Sequence, residues 1–401
     1  MPVEPNSCPE PMSVGERLVP ILFLTGMFFL SFVSRVVFSP LMPTIENQMG
    51  ISHGQAGALF LLLSIGFFVS MTGSGFVSSR LTHRHTILLS SLLLGAALIL
   101  FSVEGGLAAL RLNMFLLGAA AGFYTPSGIA VISALVSRRD TGKAMGIHNT
   151  APNLSYILAP LLCHAFLDWV HWRTLLALLG LLALAASASF SLFQKEGGFR
   201  GEPPNPAALA DLGARPLIWV TILLFCTALA GSVGIYAVLP LYLVNDRGLD
   251  LDLANTLLSL SRVSGLFMVF FAGWLTDKVG EKRTINAALL LAGAATCLLA
   301  LVPERPLLVM VFLQPAIVSC FFPAGFKVLS QIVPPGMRSL ATGWVIPIGF
   351  LFGGGVIPAF IGQMAASRSF SAGILITGIF IACGSFAALL LRLGHHEEDG
   401  C

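Results

Sequence analysis

The sequence predicts an all-α membrane protein, with twelve transmembrane helices in two pseudo-symmetric six-helix bundles. Three observations carry that reading. Of 401 residues, 56% are hydrophobic and 10% charged, against about 25% charged in a typical soluble domain. The apolar residues gather in long runs such as 87–103, 285–302 and 374–391, each near the ~20 residues that a helix needs to cross ~30 Å of hydrocarbon. A shift of the chain by about half its length also brings like residues into register. Barrel strands are excluded, because no ten-residue alternation of apolar and polar residues recurs.

Segmentation at clusters of charge, Pro and Gly places the spans at 18–42, 54–79, 85–103, 107–136, 143–167, 173–193, 217–243, 253–275, 284–302, 307–333, 339–365 and 370–393. The polar stretch 194–216 is the linker between a first bundle, 18–193, and a second, 217–393. Tails of 1–17 and 394–401 flank them. The first tail is acidic and proline-rich, without the basic n-region of a removable signal peptide. Offsetting the chain by 198 aligns Gly50 with Gly248, Gly75 with Gly273, Thr86 with Thr284 and Ile87 with Ile285. An offset of 197 aligns Pro126 with Pro323, Ala144 with Ala341 and Gly146 with Gly343. A nearly constant offset over several spans is the mark of a parallel repeat.

Basic residues set the orientation. With both termini cytoplasmic, fourteen Lys/Arg (Arg138 and Arg392 among them) lie on the inner side. Five, Arg111, Arg173, Arg247, Arg305 and Arg368, lie outside, as the positive-inside rule requires of a bacterial inner membrane. The seven cysteines form no CxxC pair and read as bystander thiols. No metal site, cofactor or nucleic-acid partner is expected. HExxH, GxSxG, Walker and paired-carboxylate patterns are missing, so an enzyme is not expected either.

The loop after the eighth span reads Gly273-Trp-Leu-Thr-Asp277-Lys278-Val-Gly280-Glu281-Lys282-Arg283. It resembles the G-x-x-x-D-[RK]-x-G-[RK]-[RK]-[RK] signature of the major facilitator superfamily, departing at Glu281. The matching loop of the first half, 75–85, keeps Gly75, Arg80 and Arg84 but has Ser79 for the acid and Thr82 for the second glycine. The segment Gly118-Ala-Ala-Ala-Gly122-Phe-Tyr124-Thr-Pro126 resembles the glycine-rich fourth helix of the same superfamily. Its usual arginine is missing, and Arg111 lies three residues early. The resemblance implies a secondary transporter, with the signature residues Gly273, Asp277, Lys278, Gly280, Arg283, Arg80 and Arg84 latching the halves on the cytoplasmic face.

All 19 acidic residues fall in loops or tails on this map, whereas Arg35, Arg262 and Lys327 lie inside spans. A cation at a helix centre costs about 2.5–3.5 kcal/mol on insertion scales and should face a cavity or a partner. Without carboxylates in the spans, an anion from solution is the natural partner. Arg262 stands ten residues after Asp252 and fifteen before Asp277, near the bilayer midplane at about 1.5 Å per residue. It resembles the arginine of oxalate and monocarboxylate porters. The context Arg35-Val-Val-Phe38-Ser-Pro-Leu-Met-Pro43 is similar to the first helix of organophosphate:phosphate antiporters, whose second arginine, in helix seven, has no counterpart here. Lys327 is seven residues before Pro334, so substrate contact and snorkelling to the interface are both open.

Asn149, Asn153 and Tyr156 share a helix face by their i, i+4, i+7 spacing. Tyr124, Tyr236 and Trp344 fall in spans that line the cavity in the resembled superfamily. Histidine is the side chain whose ordinary range reaches neutral pH, but His148 and His164 lie near span ends, where structural roles are expected. The expectation is a monomeric transporter of a small anion, such as an organic carboxylate, working by alternating access. Protons or a counter-anion are the coupling partners. Two readings stand against it: an exporter of a neutral solute or drug, and a non-transporting membrane receptor.

Overall fold

The computed structural model describes residues 13–391 apart from 104, 138 and 204, and at Pro335 the backbone alone. Most of both tails, Arg138, Arg392, Cys8 and Cys401 thus lie outside the described residues. The chain forms antiparallel helices in turn: α1 (Leu18–Met49), α2 (His53–Arg80), α3 (His83–Leu100), α4 (Leu107–Leu135), α5 (Thr141–His148 with Thr150–Phe166) and α6 (Trp172–Phe193). A short linker helix, Pro206–Gly213, leads to α7 (Pro216–Asn245), α8 (Leu251–Val279), α9 (Glu281–Leu301), α10 (Glu304–Gln331), α11 (Arg338–Ser367) and α12 (Phe370–Leu389). Eleven of these are continuous enough and apolar enough to cross a membrane. The twelfth, α5, is interrupted at Asn149, with Pro152 three residues further on.

One boundary differs from the sequence map for a physical reason. The first helix runs on to Met49 instead of stopping at 42. Its second segment starts at Phe38, so Pro40 sits in the first turn, where the missing N–H costs little. Glu46 is thereby carried inside the helix, 8% exposed and 3.0 Å from His53 Nδ1. Asp252, Asp277, Glu281 and Glu304 likewise fall in terminal turns of helices. The expectation that the spans hold no carboxylate is corrected accordingly.

The repeat has a backbone basis. Gly50 and Gly248, matched at the 198 offset, both adopt left-handed conformations (φ 62° and 65°) just past the ends of α1 and α7, a conformation that favours glycine. In the signature loop Gly280 has φ 94°. Thr82, its counterpart, is extended at φ 177°, a geometry any residue adopts, so that glycine is dispensable in the first half.

Within each half, small residues bring helices into backbone contact, as membrane packing favours. A Cβ on Gly118 of α4 would strike the Leu63 carbonyl of α2, and one on Gly66 would strike the Phe115 carbonyl in return. In the second half Gly293 of α9 lies against Ala382, and Gly378 of α12 against Cys297.

The halves meet through α2 with α11, α5 with α8 and α1 with α7. Among the described residues, every hydrogen bond and ion pair joining them lies at the centre or toward the face opposite the basic loops. These are Ser39 Oγ to Tyr236 O at 2.6 Å, Tyr236 Oη to Tyr156 O at 3.3 Å, Ser259 Oγ to Ile157 O at 2.7 Å, and His164 Nδ1 to Asp252 Oδ1 at 3.0 Å. Gly57 and Gly362 tighten the same end of the α2–α11 contact. Toward the basic loops no such contact joins the bundles among the described residues. The central cavity is therefore sealed on one face.

Candidate functional site

A cavity of about 50 Å³ lies where the two halves meet, several times the roughly 10–15 Å³ that one water requires. Arg35 and Phe32 of α1, Ser64 and Phe67 of α2, Tyr156 of α5, Tyr236 of α7, and Phe350 and Gly354 of α11 line it. Both halves thus contribute to one wall.

Arg35 is 7% exposed. Its guanidinium carbon lies 4.5 Å from the Phe32 ring centroid and 4.3 Å from that of Phe67. Its one hydrogen bond within the described protein is a long one, Nε to Ser31 O at 3.4 Å. Both terminal nitrogens are left for the cavity. The cation–π contacts offset part of the cost of burial, about 2 kcal/mol each when desolvated, yet they satisfy no N–H.

Arg262 repeats the arrangement from α8. Its guanidinium carbon is 4.5 Å from the Tyr236 centroid and 5.0 Å from that of Tyr156. Nη2 donates to Ser232 O at 3.0 Å, whereas Nε is buried without a partner. Among the described residues neither Arg35 nor Arg262 pairs with a carboxylate. Each offers in-plane N–H donors to an acceptor from outside the chain.

Asn149 and Asn153 are exposed and lie two turns and one turn from Tyr156, on the basic-loop side. Asn153 Nδ2 donates to Asn149 O at 3.4 Å. The other sequence candidates are not brought here. Tyr124 is fully buried in the first half, donating to Leu24 O and accepting from His148 Nε2 at 3.2 Å; it is a packing residue. His148, 1% exposed, stacks 4.4 Å from Phe28. Trp344 packs on the linker helix, 3.6 Å from where a Gly213 Cβ would lie, with Trp219 beside it.

Lys327 takes the interfacial of its two readings. Nζ lies 2.9 Å from Asp277 Oδ1 and 3.0 Å from Glu281 Oε1, at the basic-loop end of α10. Because α8 extends to Val279 and α9 begins at Glu281, both acids sit on helix ends that the lysine reaches. Gln331 donates to the same Glu281 oxygen at 3.2 Å. The residue that departs from the signature is the one that helps fix Lys327.

The sequence pattern of the Major Facilitator Superfamily matches residues 24–303 and, in a second overlapping match, 237–400. The chain belongs to that superfamily. The fold of this facilitator is shared with a bacterial homologue of the human lysosomal transporter Spinster, solved inward-facing and occupied. The TM-score is 0.82 at 17% identity, over 93% of this chain and 96% of that one. In sequence it is similar to the probable sulfoacetate transporter SauU of Cupriavidus necator, 24% identical over 91% of each chain. It is also similar to the membrane sensor protein UhpC of Salmonella typhimurium, 26% identical over 78% of this chain and 75% of that one.

In this facilitator the signature loops make their polar contacts within their own halves or with the linker. Lys282 donates to Leu389 O and Leu391 O at 2.7 and 3.1 Å, and Lys278 lies over Trp274. In the first half Arg84 donates to Gln194 O and Ser191 O at 3.0 and 2.8 Å. Linker backbone then covers that loop, with His83 N to Phe199 O at 3.0 Å and Gly201 N to Ser78 O at 3.1 Å. No hydrogen bond or ion pair links the two loops across the halves among the described residues.

Proposed function

We propose that this membrane transporter carries a small organic anion, held between Arg35 and Arg262. The observation behind the reading is a pair of guanidinium groups without carboxylate partners among the described residues, Arg35 lining the cavity and Arg262 packed on Tyr156 and Tyr236, which line it. Two aromatic rings pack against each guanidinium, and an Arg fork binds carboxylate, sulfonate or phosphate bidentately through its in-plane N–H groups. The cavity suits an anion of a few heavy atoms. A relative named for sulfoacetate fits this class. Tyr156 and Tyr236 complete the site, with Asn149 and Asn153 along the approach from the basic-loop side.

The mechanism in this reading is alternating access. Bound anion screens Arg35 from Arg262 and lowers the cost of enclosing both. Without it the two cations resist closure, which favours obligatory exchange or anion–proton symport. The basic loops face the cytoplasm of a bacterial inner membrane, so the sealed face is the outer one.

A thermal-shift panel of short carboxylates, sulfonates, phosphates and nitrate tests the reading, since a ligand of the native state raises Tm by mass action. Stabilisation by neutral solutes alone would replace it with the exporter reading. Binding without uptake into proteoliposomes would favour a receptor, the role named for the UhpC sensor. Lys327→Met is expected to leave anion affinity within about twofold, because an exposed ion pair is worth about 0–1 kcal/mol and is remote from the cavity. A loss above tenfold in that variant would return Lys327 to the site.

A further inference from the structure

Arg262 is held by a backbone carbonyl, and that carbonyl belongs to an irregular turn. Residues Ala230–Gly234 of α7 form a π-helical turn, in which Ile235 N–H bonds to Ala230 O. Gly231 O thereby loses Ile235, its α-helical donor. A buried carbonyl without a donor is costly, on the order of 1–3 kcal/mol. Gln314 of α10 supplies the replacement: Nε2 donates to Gly231 O at 2.9 Å and to Thr296 Oγ1 at 3.2 Å. Both donors of the amide are committed. Gln314 is 2% and Thr296 0% exposed, and the threonine hydroxyl in turn donates to Ala292 O at 2.8 Å.

The next carbonyl along the turn is Ser232 O, which accepts from Arg262 Nη2. One turn further stands Tyr236, whose ring covers the guanidinium. The extra residue of the π turn therefore sets the phase between the carbonyl and the ring. One residue is about 100° of helix rotation, so reverting to a regular helix would move one of these contacts out of reach. π turns inside helices are frequent at functional sites.

We propose that Gln314 is a positioning residue for the anion site, acting through the π turn of α7 to fix the orientation of Arg262. It touches neither the cavity nor the guanidinium. This inference rests on the anion-transport reading, and it adds that a side chain outside the site controls affinity.

The test uses the full-length protein, titrated with sulfoacetate, oxalate and inorganic phosphate in a thermal-shift assay. Uptake of whichever probe binds is then measured in proteoliposomes. Gln314→Leu keeps the bulk and removes both donors. It is expected to weaken binding about tenfold, raising the transport KM by as much with Vmax within about twofold. Placed in an Arg262→Ala background, the same change is expected to add nothing, because both act through one contact. A general packing defect would instead lower Vmax and add to the Arg262→Ala effect. Thr296→Val loosens the amide while leaving Gly231 O its donor, and it carries the test at about threefold if Gln314→Leu does not fold. A wild-type protein that none of the three probes stabilises overturns the anion reading and this proposal together. Full wild-type affinity in Gln314→Leu and Thr296→Val overturns the proposal alone.

Discussion

Arg262→Ala is expected to weaken anion binding by about thirtyfold or more. Removing one partner of a buried, hydrogen-bonded charge pair costs about 2–5 kcal/mol, and about 1.4 kcal/mol is a factor of ten. Arg262 makes one protein hydrogen bond and two aromatic contacts. No buried carboxylate loses its partner when the side chain is cut back, so the ligand-free fold should persist. Arg262→Lys sharpens the test. It restores charge but not the fork, and lysine cannot donate to Ser232 O and grip an anion in one plane. An intermediate loss of about tenfold is expected. Calorimetric or thermal-shift titration of the three proteins reads the series, and undiminished binding in Arg262→Ala would remove this residue from the site.

The largest stability effect is expected far from that chemistry, at Gly118. Its added Cβ would run into the Leu63 carbonyl, its carbon and the Phe67 nitrogen, all backbone atoms of α2. Backbone cannot swing aside as a flexible side chain does, and Gly66 and Gly122 hold the same pair of helices at the same close approach. Overpacking a filled interior costs about 1–3 kcal/mol and more where nothing yields. Gly118→Val should therefore lower Tm by many degrees or abolish monodisperse protein in detergent. Gly73→Ala, where a Cβ meets nothing within 4 Å, is the matched control and should behave as wild type. A Gly118→Val protein as stable as that control would mean that α2 and α4 do not pack as described.

The sequence carried the membrane class, the two-fold repeat and the family because each is written in local composition or in residues held close together. Arg35 and Arg262 were legible for a related reason: a cation deep in an apolar run has no cheap local answer. What was not legible depends on which helices meet. Helical spacing put Asn149, Asn153 and Tyr156 on one face, but it had no means of showing that Tyr236 and Arg262 stand opposite. Lys327 looked unpartnered because its acids lie about 50 residues earlier in the chain, on helix ends that had been assigned to a loop. Trp344 looked like a cavity residue because nothing in its own span announces that the linker helix packs on it. The π turns at Ala230–Gly234 and Phe352–Val356 have no periodic trace at all. The run Gly353-Gly354-Gly355 is the nearest thing to a signal, and Gly353 lies against Leu229 and Ala230.

The bond from Ser39 to the Tyr236 carbonyl joins residues 197 apart, which is one repeat length. Near-equivalent residues of two repeats touch only close to the axis that relates those repeats. On the proposed alternating-access mechanism the contact sits at the fulcrum, where rocking of the halves would produce the least displacement, while the His164–Asp252 pair would ride at the end of a lever. Strain introduced at the fulcrum should weigh on both orientations of the protein alike and leave their ratio unchanged. Strain at the lever's end should tip that ratio. The same physical disturbance thus has two different meanings, set by its distance from one serine.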